Sequence, residues 1–288
     1  QHLQGNLKYK LVKRNNMKKI SVLLATRGRP EMLDKSIDSL LSNISNTDNI
    51  EIMLGIDNDD QATLDFVQDE EFQTKMQDTY NVDVQAVLFD RLGYKNLHQY
   101  MNTLWGQASG EWLMLWNDDA LMETKDWDLE IGKFDDQFAL LKFNQINHRH
   151  PYALFPVIPT DWCRLIGNYS LNSQNDAWLN LIAKPLGIIK DIPVDVVHDR
   201  FDLTGNNDDE IFRSREYAEG NPQDPNDLMN ENMIKMRDAM IHKIAWFCNR
   251  IGQTETSDYF DKVKAGTIDP FEDWKQEREN AVGLGSGL

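Results

Sequence analysis

The sequence predicts an α/β fold, a mainly parallel sheet flanked by helices, with a C-terminal helical extension. Three observations lead to this class. Short apolar runs of strand length alternate with segments of helical spacing in the first half of the chain. Polar clusters follow several of those runs, and a long amphipathic stripe lies near the C-terminal end. With 288 residues, 41% of them hydrophobic, the chain can form one large domain, alone or with an appendage.

The first strand and helix are the most regular part of the pattern. "ISVLLA" (20–25) is a nearly continuous apolar run, which is typical of a strand buried on both faces. "TRGRP" follows as a loop, and Pro30 suits the first turn of a helix. Helical spacing then continues through Leu33, Ile37, Leu40 and Leu41.

The same alternation continues to residue 116. "IEIMLGI" (50–56) predicts a second strand, which ends at four polar residues, and "VDVQAVLF" (82–89) predicts a third. Residues 95–107 predict a helix, and "EWLMLW" (111–116) predicts a fourth strand. This is the repeated strand–helix order of a parallel sheet.

Beyond residue 130 the pattern is less regular. It predicts, in order, strands over 137–143 and 152–158, a short helix over 175–184, a strand over 188–198 broken by Pro193, and a loop or linker over 206–227. Apolar residues at helical steps then predict a long amphipathic helix, on Met233, Met240, Ile244, Phe247 and Ile251.

The two ends of the chain lack this pattern. Met17 opens the first patterned segment, so residues 1–16 are predicted to be an N-terminal appendage, either native or foreign to the natural protein. They are basic and polar without an apolar core segment, which does not fit a secretory signal. The last eight residues, "AVGLGSGL", predict a disordered tail.

Charge and composition narrow the class of partner and the compartment. The formal net charge of −17 argues against nucleic-acid binding, which depends on basic patches. No run of 18 apolar residues exists, so the sequence predicts no membrane span. Cys163 and Cys248 form no metal or redox motif, which favours a reducing, cytoplasmic compartment.

Polar clusters follow three of the predicted strands, at 26–29, 57–60 and 117–119. In parallel sheets, ligands bind beyond the carboxyl ends of the strands. These clusters are therefore expected to converge on one edge of the sheet and form a binding site there. Arg27 and Arg29 in the first cluster have the geometry to bind a nucleotide's base or diphosphate, although solvated loop charges are the alternative.

Asp118 and Asp119 directly follow a strand that is expected to be buried. Adjacent anions repel, and burying them is costly unless a cation or hydrogen bonds compensate. One interpretation is a polar turn, because Asn and Asp are good turn residues. The other is a divalent cation site, since Mg²⁺ and Mn²⁺ take one or two carboxylates together with substrate phosphates.

The stretch "NTLWGQASGEWLMLWNDDALM" (102–122) resembles the central segment of family 2-type glycosyltransferases with the GT-A fold. Asn102, Ala108, Gly110 and Glu111 stand at the matching spacing, and Asn117-Asp118-Asp119 stands at the family's Asp-x-Asp metal motif. "ISVLLATRGRPEMLDKSIDSLL" resembles the family's first strand, nucleotide loop and first helix. "EIMLGIDNDD" resembles its second strand. The resemblance covers about residues 17–200.

This resemblance implies a GT-A (Rossmann-like) catalytic domain over 17–217, followed by a linker, a helical region and a tail over 218–288. It implies Mn²⁺ or Mg²⁺ as cofactor, with Asp119 and His198 as metal ligands. Asn117 departs from the motif's first Asp, which could weaken metal affinity. Donor-binding roles are implied for Thr26, Arg27, Arg29, Asp57, Asn102 and Asp118.

Asp176 is the candidate catalytic base. "NSQNDAWLNLIAKPLG" (172–187) resembles a later family element in which an acid at this position serves inverting members as base. An attacking acceptor hydroxyl must lose its proton, and a carboxylate in reach can take it. The alternative is a helix N-cap on Asn175 or Asp176.

The function predicted on this basis is metal-dependent transfer of a sugar from a nucleotide-diphosphate sugar, by an inverting route. The family makes a UDP-sugar the first expectation for the donor, and the acceptor is an unknown glycan, lipid or protein. Two alternatives remain open. One is a sugar nucleotidyltransferase, although "ATRGRP" has only one Gly where a phosphate loop would need several. The other is a non-catalytic nucleotide-sugar-binding module.

Overall fold

The computed structural model describes residues 17–148, 150–213 and 223–275. The predicted N-terminal appendage and the predicted disordered tail lie outside these residues. Among the described residues, no helix is both long and apolar enough to cross a membrane.

One sheet of eight strands forms the centre of the described fold. Its strands are β1 (Ile20–Thr26), β2 (Ile50–Asp57), β3 (Asp83–Phe89), β4 (Trp112–Trp116), β5 (Ala120–Met122), β6 (Leu140–Gln145), β7 (Val157–Pro159) and β8 (Ile189–His198). Their order across the sheet is β3-β2-β1-β4-β7-β6-β8-β5. The strands from β3 to β4 are parallel, as is the β6–β8 pair, whereas β7 and β5 run antiparallel to their neighbours. The predicted α/β class is confirmed, with a sheet that is mixed in its second half.

Helices cover the sheet. They are α1 (Pro30–Ser42), α2 (Gln61–Gln68), α3 (Glu70–Thr74), α4 (Leu97–Gln107), α5 (Trp127–Gly132), α6 (Thr160–Ile166), α7 (Asn175–Ala183), α8 (Phe201–Thr204), α9 (Glu210–Arg213), α10 (Glu231–Arg250) and α11 (Thr254–Lys264). Single turns of 3₁₀-helix lie at Thr47–Asn49, Tyr94–Asn96 and Lys184–Leu186, and a π-helical turn lies at Lys75–Tyr80.

The parallel half forms as predicted because its central strands are buried on both faces. Every residue of β2 and β4 is buried, so alternation is absent and the runs read as continuously apolar. Helix α1 packs into one hydrophobic cluster through Leu33 and Ile37. On the other face, α4 contributes Met101 and Leu104 to a second cluster. The long helix α10 also belongs to that second cluster.

The second half departs from the predictions in instructive places. The predicted strand over 152–158 is reduced to β7. Pro193 does not break β8, because it lies where the pairing with β6 shifts register between Lys142 and Asn144. A missing N–H costs no ladder hydrogen bond at such an irregularity. The sequence analysis also missed β5, α2, α3, α5, α6, α8 and α11. Helix α9 lies within the predicted loop or linker over 206–227, of which residues 214–222 are outside the described part of the chain.

The turn before β4 is fixed by close packing at the amino ends of the parallel strands. A Cβ on Gly110 would lie 2.5 Å from Ser21 Oγ and 2.7 Å from the Ser21 backbone N, so only glycine fits there. The Gly110 N–H donates to Ser21 Oγ at 2.8 Å, and the Thr160 hydroxyl donates to the Gly110 carbonyl at 2.6 Å. These contacts set the start of β4 and therefore the position of the acidic pair at its end.

Candidate functional site

A cavity of about 230 Å³ opens at the carboxyl ends of the parallel strands. Its walls include every site residue predicted from the sequence except Asn102: Thr26, Arg27, Arg29, Asp57, Asp118, Asp119, Asp176 and His198. The three polar clusters at the strand ends therefore converge on one edge, where open α/β sheets bind their ligands.

Asn102 lies outside this cavity lining. Its side-chain carbonyl accepts hydrogen bonds from the backbone N–H groups of Tyr169 and Ser170, at 2.7 and 3.2 Å. Its amide nitrogen donates to the Ser170 carbonyl at 2.7 Å. The side chain thus joins α4 to the segment before α7, and these bonds leave it no direct place at the site.

Asp118 and Asp119 are the central residues of a tight turn between β4 and β5, and both are buried. Thr26 Oγ1 donates to one carboxylate oxygen of Asp118 at 2.8 Å, and Arg29 Nη1 donates to the other at 3.1 Å. Burial and the charge of Asp119 nevertheless raise the pKa of Asp118 to about 6. Burial and the charge of Asp119 therefore outweigh what Thr26 and Arg29 contribute to keeping Asp118 ionised.

His198 reaches Asp119 through strand pairing. The antiparallel register of β5 and β8 sets His198 opposite Ala120, and His198 Nε2 lies 3.1 Å from Asp119 Oδ1. Burial opposes ionisation of Asp119, but the hydrogen bond and charge of His198, with Arg29, outweigh it and lower its pKa. Asn147 holds the His198 backbone with two hydrogen bonds, at 2.8 and 3.1 Å.

The chemistry of this pair fits a divalent cation. Two neighbouring ligands of an octahedral Mg²⁺, each at about 2.1 Å, stand about 3 Å apart. Asp119 Oδ1 and His198 Nε2 have that separation. No set of three or more His, Cys, Asp or Glu side chains among the described residues could enclose a metal on its own. The residues therefore fit an open site, in which substrate oxygens would complete the coordination.

Arg29 connects the acidic turn to the segment after β8. Its guanidinium donates to Asp118 and forms a bidentate salt bridge with Asp209, with N–O distances of 2.6 and 2.7 Å. Burial opposes the charge of Arg29, but the carboxylates around it outweigh burial and raise its pKa. Three of its five N–H groups donate to these carboxylates, so the two that remain are the ones that could donate to a phosphate oxygen.

A second carboxylate group lies at the end of β2. Tyr100 donates its hydroxyl to Asp57 Oδ1, and Arg27 Nη1 donates to Asp57 Oδ2 at 3.0 Å. Burial and the hydrogen bond to Asp57 raise the pKa of Tyr100 to about 12. Arg27 also pairs with Asp59 at the surface. This end of the cavity therefore presents Asp57 already oriented by two donors.

Asp176 faces the cavity from the first turn of α7, which begins at Asn175. The N-cap residue is Gln174, whose side chain makes no capping bond. Burial raises the pKa of Asp176, although backbone N–H groups at the helix start and the charges of His198 and Arg200 oppose the shift. A carboxylate with a raised pKa is a stronger proton acceptor than an exposed aspartate.

The cavity also contains residues that the sequence analysis missed, among them Arg91, Tyr94, Tyr100, Gln174, Arg200 and Phe212. Arg91 and Arg200 each follow the end of a strand, β3 and β8 respectively. The rule that located the other strand-end clusters could have found both. Tyr100 lies inside a helix, where its aromatic ring is indistinguishable in sequence from core packing.

Comparison with known proteins shows similarity at the level of structure. No protein-family model and no curated protein sequence matches the chain. The structure is similar to that of the mannosyltransferase PcManGT from Pyrobaculum calidifontis in complex with GDP-Man and Mn²⁺. The TM-score is 0.52 at 10% identity, over 91% of this chain and 84% of that chain. It is also similar to S. aureus TarS 1-349 in complex with UDP-GlcNAc, with a TM-score of 0.52 at 16% identity, over 78% of this chain and 66% of that chain.

At these identities the similarity shows the fold. The chain has the α/β architecture of GT-A glycosyltransferases, as the sequence analysis predicted. Membership of family 2 in particular stays a prediction.

Proposed function

We propose that the protein is a glycosyltransferase that uses a nucleotide-diphosphate sugar and a divalent cation, Mn²⁺ or Mg²⁺. One observation carries this proposal. Asp118, Asp119, His198, Arg29 and Asp176 meet in one cavity at the carboxyl edge of a GT-A sheet. The similar PcManGT and TarS structures hold GDP-Man with Mn²⁺ and UDP-GlcNAc, which supports a nucleotide sugar as the donor class.

Asp119 and His198 would hold the cation, and Arg29 would bind the donor's phosphates beside it. A bound Mn²⁺ or Mg²⁺ supplies Lewis-acid stabilisation of the leaving diphosphate. Asp118, held by Thr26 and Arg29, adds negative charge that favours a cation at this point. The buried acidic pair of the sequence is explained if the cation offsets the repulsion between its two carboxylates.

Asp57 would bind the nucleoside at the other end of the cavity. Its carboxylate is oriented by Tyr100 and Arg27. A nucleobase or ribose N–H or O–H group in this place would find a fixed acceptor, which limits the entropy cost of binding. Uridine is the first expectation for the base, and guanosine is the alternative.

Asp176 would act as the general base of an inverting transfer. It would accept the proton of an acceptor hydroxyl as that oxygen forms a bond to the anomeric carbon of the sugar. The bond between this carbon and the diphosphate oxygen breaks on the opposite face, and the nucleoside diphosphate leaves with the electron pair. The raised pKa of Asp176 makes the proton transfer more favourable.

A binding and turnover experiment tests the proposal. Calorimetry would measure the binding of UDP, GDP, UDP-GlcNAc and GDP-mannose, without Mn²⁺ and with Mn²⁺ at about 1 mM. One nucleotide class should bind, and Mn²⁺ should strengthen its binding. Slow release of free sugar from the bound donor should follow. Absence of binding for every nucleotide would refute the function. Binding without hydrolysis or transfer to any acceptor would indicate a non-catalytic binding module.

A further inference from the structure

On the side of α1, the turn that carries Asp118 and Asp119 is held by Ser36. Ser36 lies in the middle of α1 and is completely buried. Its Oγ lies 2.9 Å from the carbonyl oxygen of Asn117 and 2.8 Å from that of Ala120. These are the first and last residues of the four-residue turn whose central residues are the two aspartates.

The turn itself has one backbone hydrogen bond across it, from the Ala120 N–H to the Asn117 carbonyl at 3.2 Å. The Ser36 hydroxyl adds a second bridge between the same two ends. Its one proton is shared between the two carbonyls, and its oxygen accepts a hydrogen bond from Trp116 Nε1 at 2.8 Å. One hydroxyl thus fixes the end of β4, the turn and the start of β5.

This anchoring matters because the two aspartates bear charges that repel each other. The Asp199 N–H also holds the Asp119 carbonyl at 2.7 Å, and without Ser36 the two ends of the turn would be joined by the Ala120–Asn117 backbone bond at 3.2 Å. The contacts of Ser36 oppose separation of the two aspartates from the side of the turn away from the cavity. They leave the carboxylates free to face Arg29 and His198.

We propose that Ser36 is a positioning residue for the metal site: its hydroxyl holds the Asn117–Ala120 turn so that Asp119 meets His198 at ligand spacing. The inference rests on the proposed function in that a divalent cation is the expected ligand. Ser36 does not line the cavity, so it would touch neither the cation nor the substrate. By holding the turn in place, Ser36 would raise the affinity for the metal, because the turn would not have to rearrange on binding. Groups that orient metal ligands in this way are typically worth 10–100-fold in affinity.

Two matched variants of α1 test this assignment. Ser36→Ala removes the anchor of the turn. Ser39→Ala removes a comparable hydroxyl one turn later, which accepts from the Met122 N–H at 2.9 Å at the far end of β5. Each variant loses a hydrogen bond between α1 and the β4–β5 hairpin, so each should lower the melting temperature by a few degrees.

The decisive readout is the metal dependence of the protein. Electron paramagnetic resonance would measure Mn²⁺ binding to the protein alone, and calorimetry would measure UDP and GDP binding across Mn²⁺ concentrations. Ser36→Ala should raise the Mn²⁺ concentration for half-maximal binding by roughly 10–100-fold. It should leave metal-free nucleotide binding unchanged. Ser39→Ala should match the parent in both.

Equal Mn²⁺ dependence in the two variants would overturn the assignment, because Ser36 would then be only a stabilising contact. If Ser36→Ala does not fold, Ser36→Cys decides the question, since it keeps most of the volume with a weaker donor. An unchanged Mn²⁺ dependence in Ser36→Cys would also overturn it. If the parent protein binds Mn²⁺ but no nucleotide, the proposed function fails while the test of Ser36 still stands.

Discussion

Glu51 and Asp118 are buried carboxylates at opposite edges of the same sheet, and their pKa values move in opposite directions. Glu51 lies at the start of β2, where burial opposes its charge, but hydrogen bonds from Lys19, Ser21 and Ser109 outweigh burial and lower its pKa to about 2. Asp118 follows β4, and burial together with the charge of Asp119 raises its pKa to about 6. The cost of burying a charged carboxylate is therefore overcome at Glu51 but not at Asp118.

The difference separates an edge whose buried carboxylate stabilises the fold from an edge whose buried carboxylates are candidates for binding a ligand. At the Glu51 edge the chain supplies a full set of donors, and the carboxylate holds β1, β2 and the turn before β4 together. At the Asp118 edge the donors of the chain do not outweigh burial and the charge of Asp119, and the carboxylate lies beside an open cavity. A site whose own residues do not offset the cost of a buried charge is a candidate for an external partner, here a cation.

The largest expected effect tests the proposed cation site directly. Asp119→Ala removes the carboxylate that would hold the cation, so metal-dependent nucleotide binding and transfer should be lost. The fold should remain, because the substitution also relieves the repulsion with Asp118. Titration with UDP and GDP in Mn²⁺ measures the first effect, and thermal unfolding measures the second. Asp208→Ala, at a surface residue paired with Arg213, is the control. Parental nucleotide affinity in the Asp119 variant would place the metal elsewhere.

The next effect concerns Asp176, the proposed base, which also lines the cavity. Asp176→Asn keeps size and hydrogen bonding but cannot accept a proton, so turnover should fall on the order of 10²–10⁴-fold. Donor affinity and melting temperature should stay at parental values. Because burial raises the pKa of Asp176, parental activity should decline with acid at a pH above the range of an exposed aspartate. Asp161→Asn, at an exposed residue of α6, is the control. Retained turnover would remove the basis for an inverting mechanism.

A smaller effect is expected at Asp57, the proposed contact with the nucleoside. Asp57→Ala should weaken UDP or GDP binding by about 1–3 kcal/mol if a nucleotide donor group loses its acceptor. Asp59→Ala is a close control, because Asp59 also pairs with Arg27 but lies outside the cavity lining. Calorimetry of both variants separates a contact with the ligand from a change in the position of Arg27. Equal losses in the two variants would assign the effect to Arg27.

The strand-end positions of Thr26, Asp57 and Asp118 were predictable because apolar runs locate buried strands and parallel strands share a carboxyl edge. The contact of His198 with Asp119 was not readable from any local pattern. It depends on antiparallel pairing of β5 and β8, and β5 is only three residues long. The resemblance to a known family, not the spacing, suggested that pair.

Two other residues show why buried polar contacts escape sequence reasoning. Asn102 matches a family position, yet its side chain bonds the backbone of the segment before α7. Ser36 reads as one polar residue in an amphipathic helix, and nothing local indicates that it faces the acidic turn. Both depend on which backbone groups lie opposite in the folded chain, and this is set by packing over long sequence separations.

The smallest expected effect tests the balanced edge. Glu51→Gln replaces the carboxylate by an amide. The partners of Glu51 are all hydrogen-bond donors, so the NH₂ group of the amide would have no acceptor among them. Because the folded pKa of Glu51 is below its ordinary value of 4.5, its charge stabilises the fold above that pH. The variant should therefore lose on the order of 1–2 kcal/mol of unfolding free energy at pH 7, less than the full shift because Lys19 is partly exposed. The loss should shrink as the pH falls from about 4.5 toward 2, and nucleotide binding should not change.

Urea unfolding across this pH range measures the loss. The control is Glu111→Gln, because Glu111 accepts from the Lys19 N–H at the same edge. A pH-independent loss would mean that packing, rather than charge, makes Glu51 stabilising.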